Sequence, residues 1–406
     1  MREKHIVGLD LGTTKIACIV AQVGDTGAAE VVGVGITPSH GLRRGVVTDL
    51  EEAADSIRAA VDEAEHGAGI KVEEVYTGIA GDHIRSMNSK GVVAISRPNR
   101  EITQDDINRV IEQAKAISIP LDREIVHIIP QEFIVDDERG IRNPAGMAGM
   151  KLEVEVHIVT GAATSALNIY KSVEKAGLVV KGLVLQPLAS SYAVLEPEEK
   201  ELGVVLVDIG GGTTDVAIFY NGSIRESFVI GLGGINVTND IAFGLRTPRT
   251  CAEEIKKKKG VALTSMANKS LIEVSGVGGR GKREIKKEEL ANIIELRIEE
   301  IFAIVHKRIE ESGFADLLPG GVVLTGGTAK MPGIDRLGED IFGLPVKIGV
   351  PKGVEGLDDS IRDPIHATGI GLILHGIYNE QEMGRVVGER RPFNRFIEKI
   401  KRWFTE

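Results

Sequence analysis

Asp208-Ile-Gly-Gly-Gly-Thr-Thr-Asp-Val-Ala-Ile-Phe219 is the stretch whose reading decides the fold. An apolar run over residues 203–207 leads into a carboxylate, three glycines and two threonines follow, and residues 216–219 resume an apolar strand. Two strands joined by so tight a turn need glycine, which tolerates backbone angles closed to other residues. Such a turn lets backbone N–H groups close on an anion, with the hydroxyls of Thr213 and Thr214 beside them. Asp208, at the strand end, suits a hydrated cation rather than the anion itself. Taken alone, the stretch fits either a phosphate-and-magnesium site or an ordinary glycine-rich hairpin.

A second copy favours the site. Ile6-Val-Gly-Leu-Asp10 leads through Leu11-Gly-Thr-Thr-Lys15 into Ile16-Ala-Cys-Ile-Val20. The order repeats: apolar strand, Asp, Gly, paired Thr, apolar strand. Copies about half the chain length apart point to two related halves facing one nucleotide. Gly12, Thr13 and Thr14 would then pinch the phosphates from one side and Gly210, Gly211, Gly212, Thr213 and Thr214 from the other. Lys15 supplies a cation to the hairpin with fewer glycines.

With 406 residues, the chain has room for two or more domains, each with a sizeable core. Its 42% hydrophobic and 27% charged residues are those of an ordinary soluble protein. A net charge of −10 argues against a nucleic-acid partner. Two cysteines, Cys18 and Cys251, suggest a reducing compartment without disulfides. The chain opens on a strand, so no signal peptide is expected, and no apolar run approaches the roughly 20 residues that span a bilayer.

Taken in order, residues 1–84 read as the first part of a lobe. They hold the hairpin, a strand at 31–35, a helix over 49–65 with Asp49 as its cap, and a strand at 75–79. Residues 85–156 are richer in charge and read as an inserted subdomain, with strands near 91–95, 125–134 and 152–156 around a helix over 103–117. His157-Ile-Val-Thr160 is expected back in the core of that lobe, which continues to residue 200. Gln186-Pro-Leu-Ala-Ser-Ser-Tyr-Ala-Val194 opens a helix of small residues, which permit close crossings and suggest a hinge. Residues 201–246 begin the second lobe, 247–316 read as its own insertion with a long helix at 287–312, and 317–378 complete it. Residues 379–391 read as polar linker.

Residues 392–406 have the pattern of an interfacial helix. At about 100° per residue, Phe393, Phe396, Ile397, Ile400, Trp403 and Phe404 fall within an arc of roughly 120°. Arg395, Lys399, Lys401 and Arg402 take the remaining face or its borders, and Pro392 suits the first helical position. A helix about 20 Å long cannot span a bilayer but can lie in its surface, aromatics below the headgroups and cations on anionic lipid.

Other signals keep a plain reading. Gly276-Val-Gly-Gly-Arg-Gly281 matches the dinucleotide fingerprint in form, but no acidic residue ends a second strand at the right distance, so an exposed hairpin loop is expected. The nine histidines show no metal-ligand spacing. The lysine run 256–259 fits a solvated helix face.

Five signatures together resemble the actin–Hsp70–sugar-kinase ATPase superfamily: the hairpins at Asp10 and Asp208, the connectors at Gln186 and Pro364, and the Gly326-Gly327 loop. Within it, the chain resembles the FtsA family of bacterial cell-division proteins along essentially its whole length, including Gly41-Leu-Arg-Arg-Gly-Val-Val-Thr-Asp49, Gly231-Leu-Gly-Gly234 and the terminal amphipathic helix. The resemblance implies an α/β, actin-like fold of two lobes around a cleft for ATP and Mg2+, with a family-specific inserted subdomain. It implies that Asp10 and Asp208 orient magnesium through water and that Gln186 positions the attacking water. Gln186 is too weak a base to take the proton, so turnover is slow at most. Gly326, Gly327 and Thr328 would floor the adenosine pocket, and Glu253 and Lys256 would reach ribose and adenine.

The resemblance further implies self-assembly into filaments, attachment to the inner face of the cell membrane at the division site, and recruitment of other division proteins. The second insertion corresponds to the lobe that docks the tail of the tubulin-like partner FtsZ, through a basic surface including Lys282, Arg283, Lys286 and Lys287. A small-molecule kinase of the same fold is the alternative. It needs a catalytic Asp beside a substrate cleft, and none stands out between connector and hairpin.

Overall fold

The computed structural model describes residues 4–24, 27–278, 280–356 and 361–385. Two five-stranded sheets share one topology. In the first, Ala29–Pro38, Lys15–Val23 and Lys4–Leu11 run antiparallel to one another, then Glu74–Ile79 and Val179–Leu185 add on in parallel. In the second, Ser223–Ile230, Thr214–Tyr220 and Val204–Ile209 are followed in the same way by Val322–Thr325 and Val346–Ile348. The duplication expected from two hairpins thus extends to every strand of both sheets.

The unbroken apolar runs follow from burial on both faces. Along Val204–Ile209, Val205, Val207 and Ile209 join the core of the second lobe, while Val204 and Leu206 face a core shared with the first. That shared core also takes Ile6 and Ile19 of the first sheet, Ala189 and Ala193 of helix Gln186–Val194, and Ile370 and Ile373 of helix Ala367–Arg385. The two helices cross at backbone contact: a Cβ on Gly371 would lie 1.9 Å from the carbonyl oxygen of Ala189. The close crossing that small residues suggested is present.

The first insertion is a four-stranded sheet in the order Arg85–Ala94, Lys151–Ala162, Arg123–Val135, Glu138–Ile141, covered by helix Gln104–Ala114 over its own core. The stretch His157–Thr160 serves both units: Val159 packs in the core of the first lobe with Leu9, Ile57 and Leu185, while Ile158 joins the core of the inserted sheet. Strand Lys151–Ala162 stays in the inserted sheet over its whole length, paired with Arg85–Ala94 and Arg123–Val135. The side chain of His157 takes its hydrogen-bond partners from Asn88 of the inserted sheet and Ser227 of the second lobe. The second insertion brings the hairpin of Leu271–Ser275 and Lys282–Lys286 and the helix Lys287–Glu311, whose apolar face fills the core of the second lobe.

Residues 379–385, read as the start of a linker, belong to helix Ala367–Arg385. Glu380 explains the extension: its carboxylate accepts from Lys181 at 2.7 Å and pairs with Lys4, fixing one more helical turn to the first lobe. The rest of the expected linker and the amphipathic segment 392–406 lie outside the described residues. Among the described residues, no helix is long and apolar enough to cross a membrane.

Candidate functional site

The tips of the two hairpins meet between the lobes. A Cβ on Gly211 would lie 2.4 Å from Thr14 Cγ2, and one on Gly212 would lie 2.5 Å from Thr13 Oγ1, so each glycine makes room for a threonine of the opposite hairpin. The glycine turn closes through the N–H of Gly210, donated to the Thr213 carbonyl at 2.9 Å. Behind it, the N–H groups of Gly234 and Ile235 donate to the carbonyls of Gly210 and Gly211 at 3.0 and 2.8 Å, seating helix Gly234–Gly244 against the turn. The backbone N–H of Gly45 donates to Thr13 Oγ1 at 3.2 Å.

A cavity of about 510 Å³ opens at this junction. It is lined by Asp10, Gly12, Thr13, Thr14, Lys15, Gln186, Asp208, Gly210, Gly211, Gly212, Thr213, Glu253, Lys256, Gly326, Gly327 and Thr328. Thr214 is the exception among the expected residues. It is fully buried in its strand, and its hydroxyl donates to the Leu232 carbonyl at 2.9 Å. Strand alternation turns it away from the cleft and towards the Gly231–Gly234 loop.

Acid dominates one end of the cavity. Lys15 Nζ donates to Asp10 Oδ2 at 3.0 Å. Asp208 accepts at Oδ2 from Ser190 Oγ at 2.7 Å and from Thr368 Oγ1 at 3.2 Å. Burial raises its pKa to about 6, with Asp10 adding to the rise and the two hydroxyls opposing it. Asp215 also lines the cavity, a residue to which the sequence reading gave no role. Thr213 Oγ1 donates to its Oδ2 at 2.8 Å, while the buried Oδ1 has no hydrogen-bond partner. Burial and the neighbouring Asp208 push the carboxyl of Asp215 up to about 8.

Two buried carboxyls held up in pKa, one with an orphaned oxygen, suit an added cation. Among the described residues, no group of three or more acid, His or Cys side chains is placed to hold a metal ion directly. Carboxylates with an unpaired oxygen are of the kind that a hydrated magnesium ion meets through its waters.

The other end is a shelf. Gly326, at φ 84°, leaves room for Asp208: a Cβ there would come 2.4 Å from Asp208 Oδ1. Thr328 Oγ1 donates to the Gly210 carbonyl at 3.2 Å. Lys256 Nζ donates to the carbonyl of Gly234 at 3.0 Å and to Thr238 Oγ1 at 2.9 Å, and pairs with Glu253 at 2.7 Å. Thus two lysines of the 256–259 run, Lys256 and Lys257, line the cleft, and Lys256 does so in an ordered network. Ile235, Met331, Pro332 and Ile365 give the shelf apolar walls. A Cβ on Gly78 would lie 2.8 Å from Gln186 Cγ, so the strand beneath is cut back where this side chain stands.

The four expected docking residues lie outside the cleft. Lys282 pairs with Glu273 at 2.6 Å, and Arg283 donates to the Leu245 carbonyl at 2.7 Å. Lys286 is exposed and Lys287 half-buried.

Duplicated sheets joined by crossing helices, with paired glycine–threonine hairpins and buried acids in the cleft between them, define an actin-like protein. The family model described as "Cell division protein FtsA" matches residues 205–371, and that described as "SHS2 domain inserted in FTSA" matches residues 81–160. The cell division protein FtsA of Pseudomonas aeruginosa is 46% identical, the alignment covering 98% of this chain and 97% of the relative. The chain belongs to the FtsA family of cell-division proteins. Its fold is also similar to a solved PilM–PilN type IV pilus biogenesis complex, with 18% identity, TM-score 0.68, and 92% and 98% of the two chains covered. MreB5 of Spiroplasma citri bound to ADP is similar at 17% identity and TM-score 0.55, with 95% and 99% covered.

Proposed function

We propose that the chain binds ATP with magnesium between its hairpins, polymerises on the inner face of the cytoplasmic membrane, tethers FtsZ filaments there and recruits later division proteins. The observation that carries the nucleotide reading is the convergence of both glycine–threonine turns and the buried acids Asp208 and Asp215 on one cavity between lobes. Bound magnesium would offset the charge of the phosphates and of these acids. The chain's own residues do the rest. The turn N–H groups and Thr13, Thr14 and Thr213 hold phosphate oxygens, Lys15 adds a positive charge, and the shelf of Gly326–Thr328 carries the nucleoside. Gln186 orients water without taking its proton, which limits the chain to slow hydrolysis at most. Among the described residues, Lys286 and Lys287 make no ion pair and are placed to meet an acidic tail, Lys282 and Arg283 less so.

Membership of the FtsA family speaks against the alternative, a small-molecule kinase of the same fold. The test of the cleft is Asp208→Ala. Removing a metal-orienting carboxylate from among phosphates should weaken ATP binding in magnesium by at least about tenfold, measured by titration calorimetry. Unchanged affinity would sink the assignment.

A further inference from the structure

The acid at the centre of the cleft is held by neither hairpin alone. Asp208 Oδ2 accepts from Ser190 Oγ at 2.7 Å and Thr368 Oγ1 at 3.2 Å, and the two hydroxyls lie 3.0 Å apart. Ser190 comes from helix Gln186–Val194 and Thr368 from helix Ala367–Arg385, the two elements that connect the lobes. Ser190 is fully buried and Thr368, at the cavity wall, is 8% exposed. Their helices touch backbone to backbone at Gly371 and Ala189, three residues beyond Thr368 and one before Ser190. The remaining oxygen, Oδ1, rests over Gly326. The plane of the carboxylate is therefore set by the helix crossing on one side and by the shelf glycine on the other.

We infer that Ser190 and Thr368 are positioning residues for the magnesium end of the site: they hold Asp208 in its metal-facing orientation through the crossing of the two connector helices. The inference rests on Asp208 serving the metal. A buried hydroxyl in a polar cluster has two uses, packing or aim. Two hydroxyls from separate helices on one carboxylate oxygen favour aim, since either alone would satisfy that oxygen. The arrangement also makes the carboxylate sensitive to the crossing itself. A slide of one connector past the other breaks one of the two bonds before it disturbs either hairpin.

The experiment reads the magnesium enhancement of nucleotide binding, that is, ATP affinity in magnesium divided by ATP affinity in EDTA. It compares the wild type with Ser190→Ala, Thr368→Val, the double variant, Thr368→Ser and Asp208→Asn. A hydrogen bond to a charged group carries roughly a tenfold effect when removed. Ser190→Ala and Thr368→Val should each cut the enhancement by up to about that factor, and the double variant more. Thr368→Ser, which keeps the hydroxyl, should restore most of it; a purely structural role would instead leave the near-isosteric Thr368→Val close to wild type and make Thr368→Ser the poorer variant.

An enhancement in the double variant equal to that of the wild type overturns the inference. So does equal loss in Thr368→Ser and Thr368→Val. Should Ser190→Ala fail to fold, the near-isosteric Thr368→Val against Thr368→Ser decides alone. Asp208→Asn separates the two levels: if it keeps the enhancement, the metal reading of the cleft fails, whereas its loss alone leaves only the positioning role in question.

Discussion

At the scale of single residues, the structure is most specific where polar groups are buried. His157 has no exposed surface, and both ring nitrogens are used: Nδ1 faces Asn88 Oδ1 at 2.8 Å and Nε2 faces Ser227 Oγ at 2.9 Å. Asn88 Oδ1 is an acceptor, so Nδ1–H donates to it, and Nε2 accepts from the serine of the second lobe: a neutral ring. Burial lowers the pKa from the ordinary 6.5 to about 4. An unfolded chain binds a proton here below 6.5 and the folded chain does not until about 4. The stabilising contribution is therefore full above 6.5 and is lost as pH falls towards 4. From pH 7 to pH 5 that share is about 2 kcal/mol. In urea unfolding of the nucleotide-free protein, His157→Gln should show a pH loss smaller than the wild type's by about that amount. Parallel curves for the two would show that the ring titrates normally. Asp215 teaches a related lesson about legibility. It sits seven residues beyond Asp208 in the very stretch that decides the fold, just before the apolar run 216–219. The register of the hairpin sets it directly opposite Asp208, which brings it to the cavity wall with an unpaired oxygen.

At the scale of elements, what the sequence disclosed is what short-range chemistry controls. Both hairpins, the capped helix Leu50–Ala68 and the helix Gln186–Val194 were legible from glycine, Asp49 and residue size. The strand Lys151–Ala162 was cut short because its later residues are as apolar as a core strand; the sheet it joins is a matter of long-range pairing. The last turns of Ala367–Arg385 were missed because their anchors, Lys4 and Lys181, are remote in sequence. Glycines divide in the same way. Gly67, on the exposed side of its helix, has nothing nearer than 3.4 Å to an added Cβ, and alanine there should be neutral or stabilising by up to about 1 kcal/mol. Gly371 would drive its Cβ to 1.9 Å from the Ala189 carbonyl oxygen, so the helices must part. Overpacking of this kind costs about 3 kcal/mol. Gly371→Ala should lower the melting temperature by several degrees and weaken nucleotide binding from outside the cleft, while Gly67→Ala does neither. Equal melting curves for the two variants would mean that the crossing is not tight in solution.

At the scale of the whole molecule, the lobes are tied at two places with different consequences. The inserted subdomain covers the edge strand Ser223–Ile230 with side chains: Ser86 Oγ donates to the Ser227 carbonyl at 2.7 Å, Asn88 to that of Arg225 at 3.1 Å, and Gln131 to that of Ile224 at 2.8 Å. An edge so capped is closed to strand addition. The second tie is the helix Ala367–Arg385, which begins beside Asp208 and is pinned to the first lobe at Glu380. Whatever follows residue 385 therefore leaves from one fixed place on the first lobe. The sequence beyond it ends in the amphipathic pattern of residues 392–406, with the chain's single tryptophan, Trp403, on the apolar face. A segment with Phe393, Phe396, Ile397, Ile400 and Phe404 on one side and cations on the other gains by burying the first in acyl chains and setting the second on anionic headgroups. Packing on the protein's own surface would offer the aromatics similar burial and, on a chain of net charge −10, carboxylates to the cations. The two cases separate on one signal. Anionic vesicles should shift Trp403 emission to the blue and carry the protein down on sedimentation, and Trp403→Glu should leave it in the supernatant. A tryptophan already blue-shifted without lipid, and unmoved by vesicles, would place the segment on the protein body and end the anchor reading.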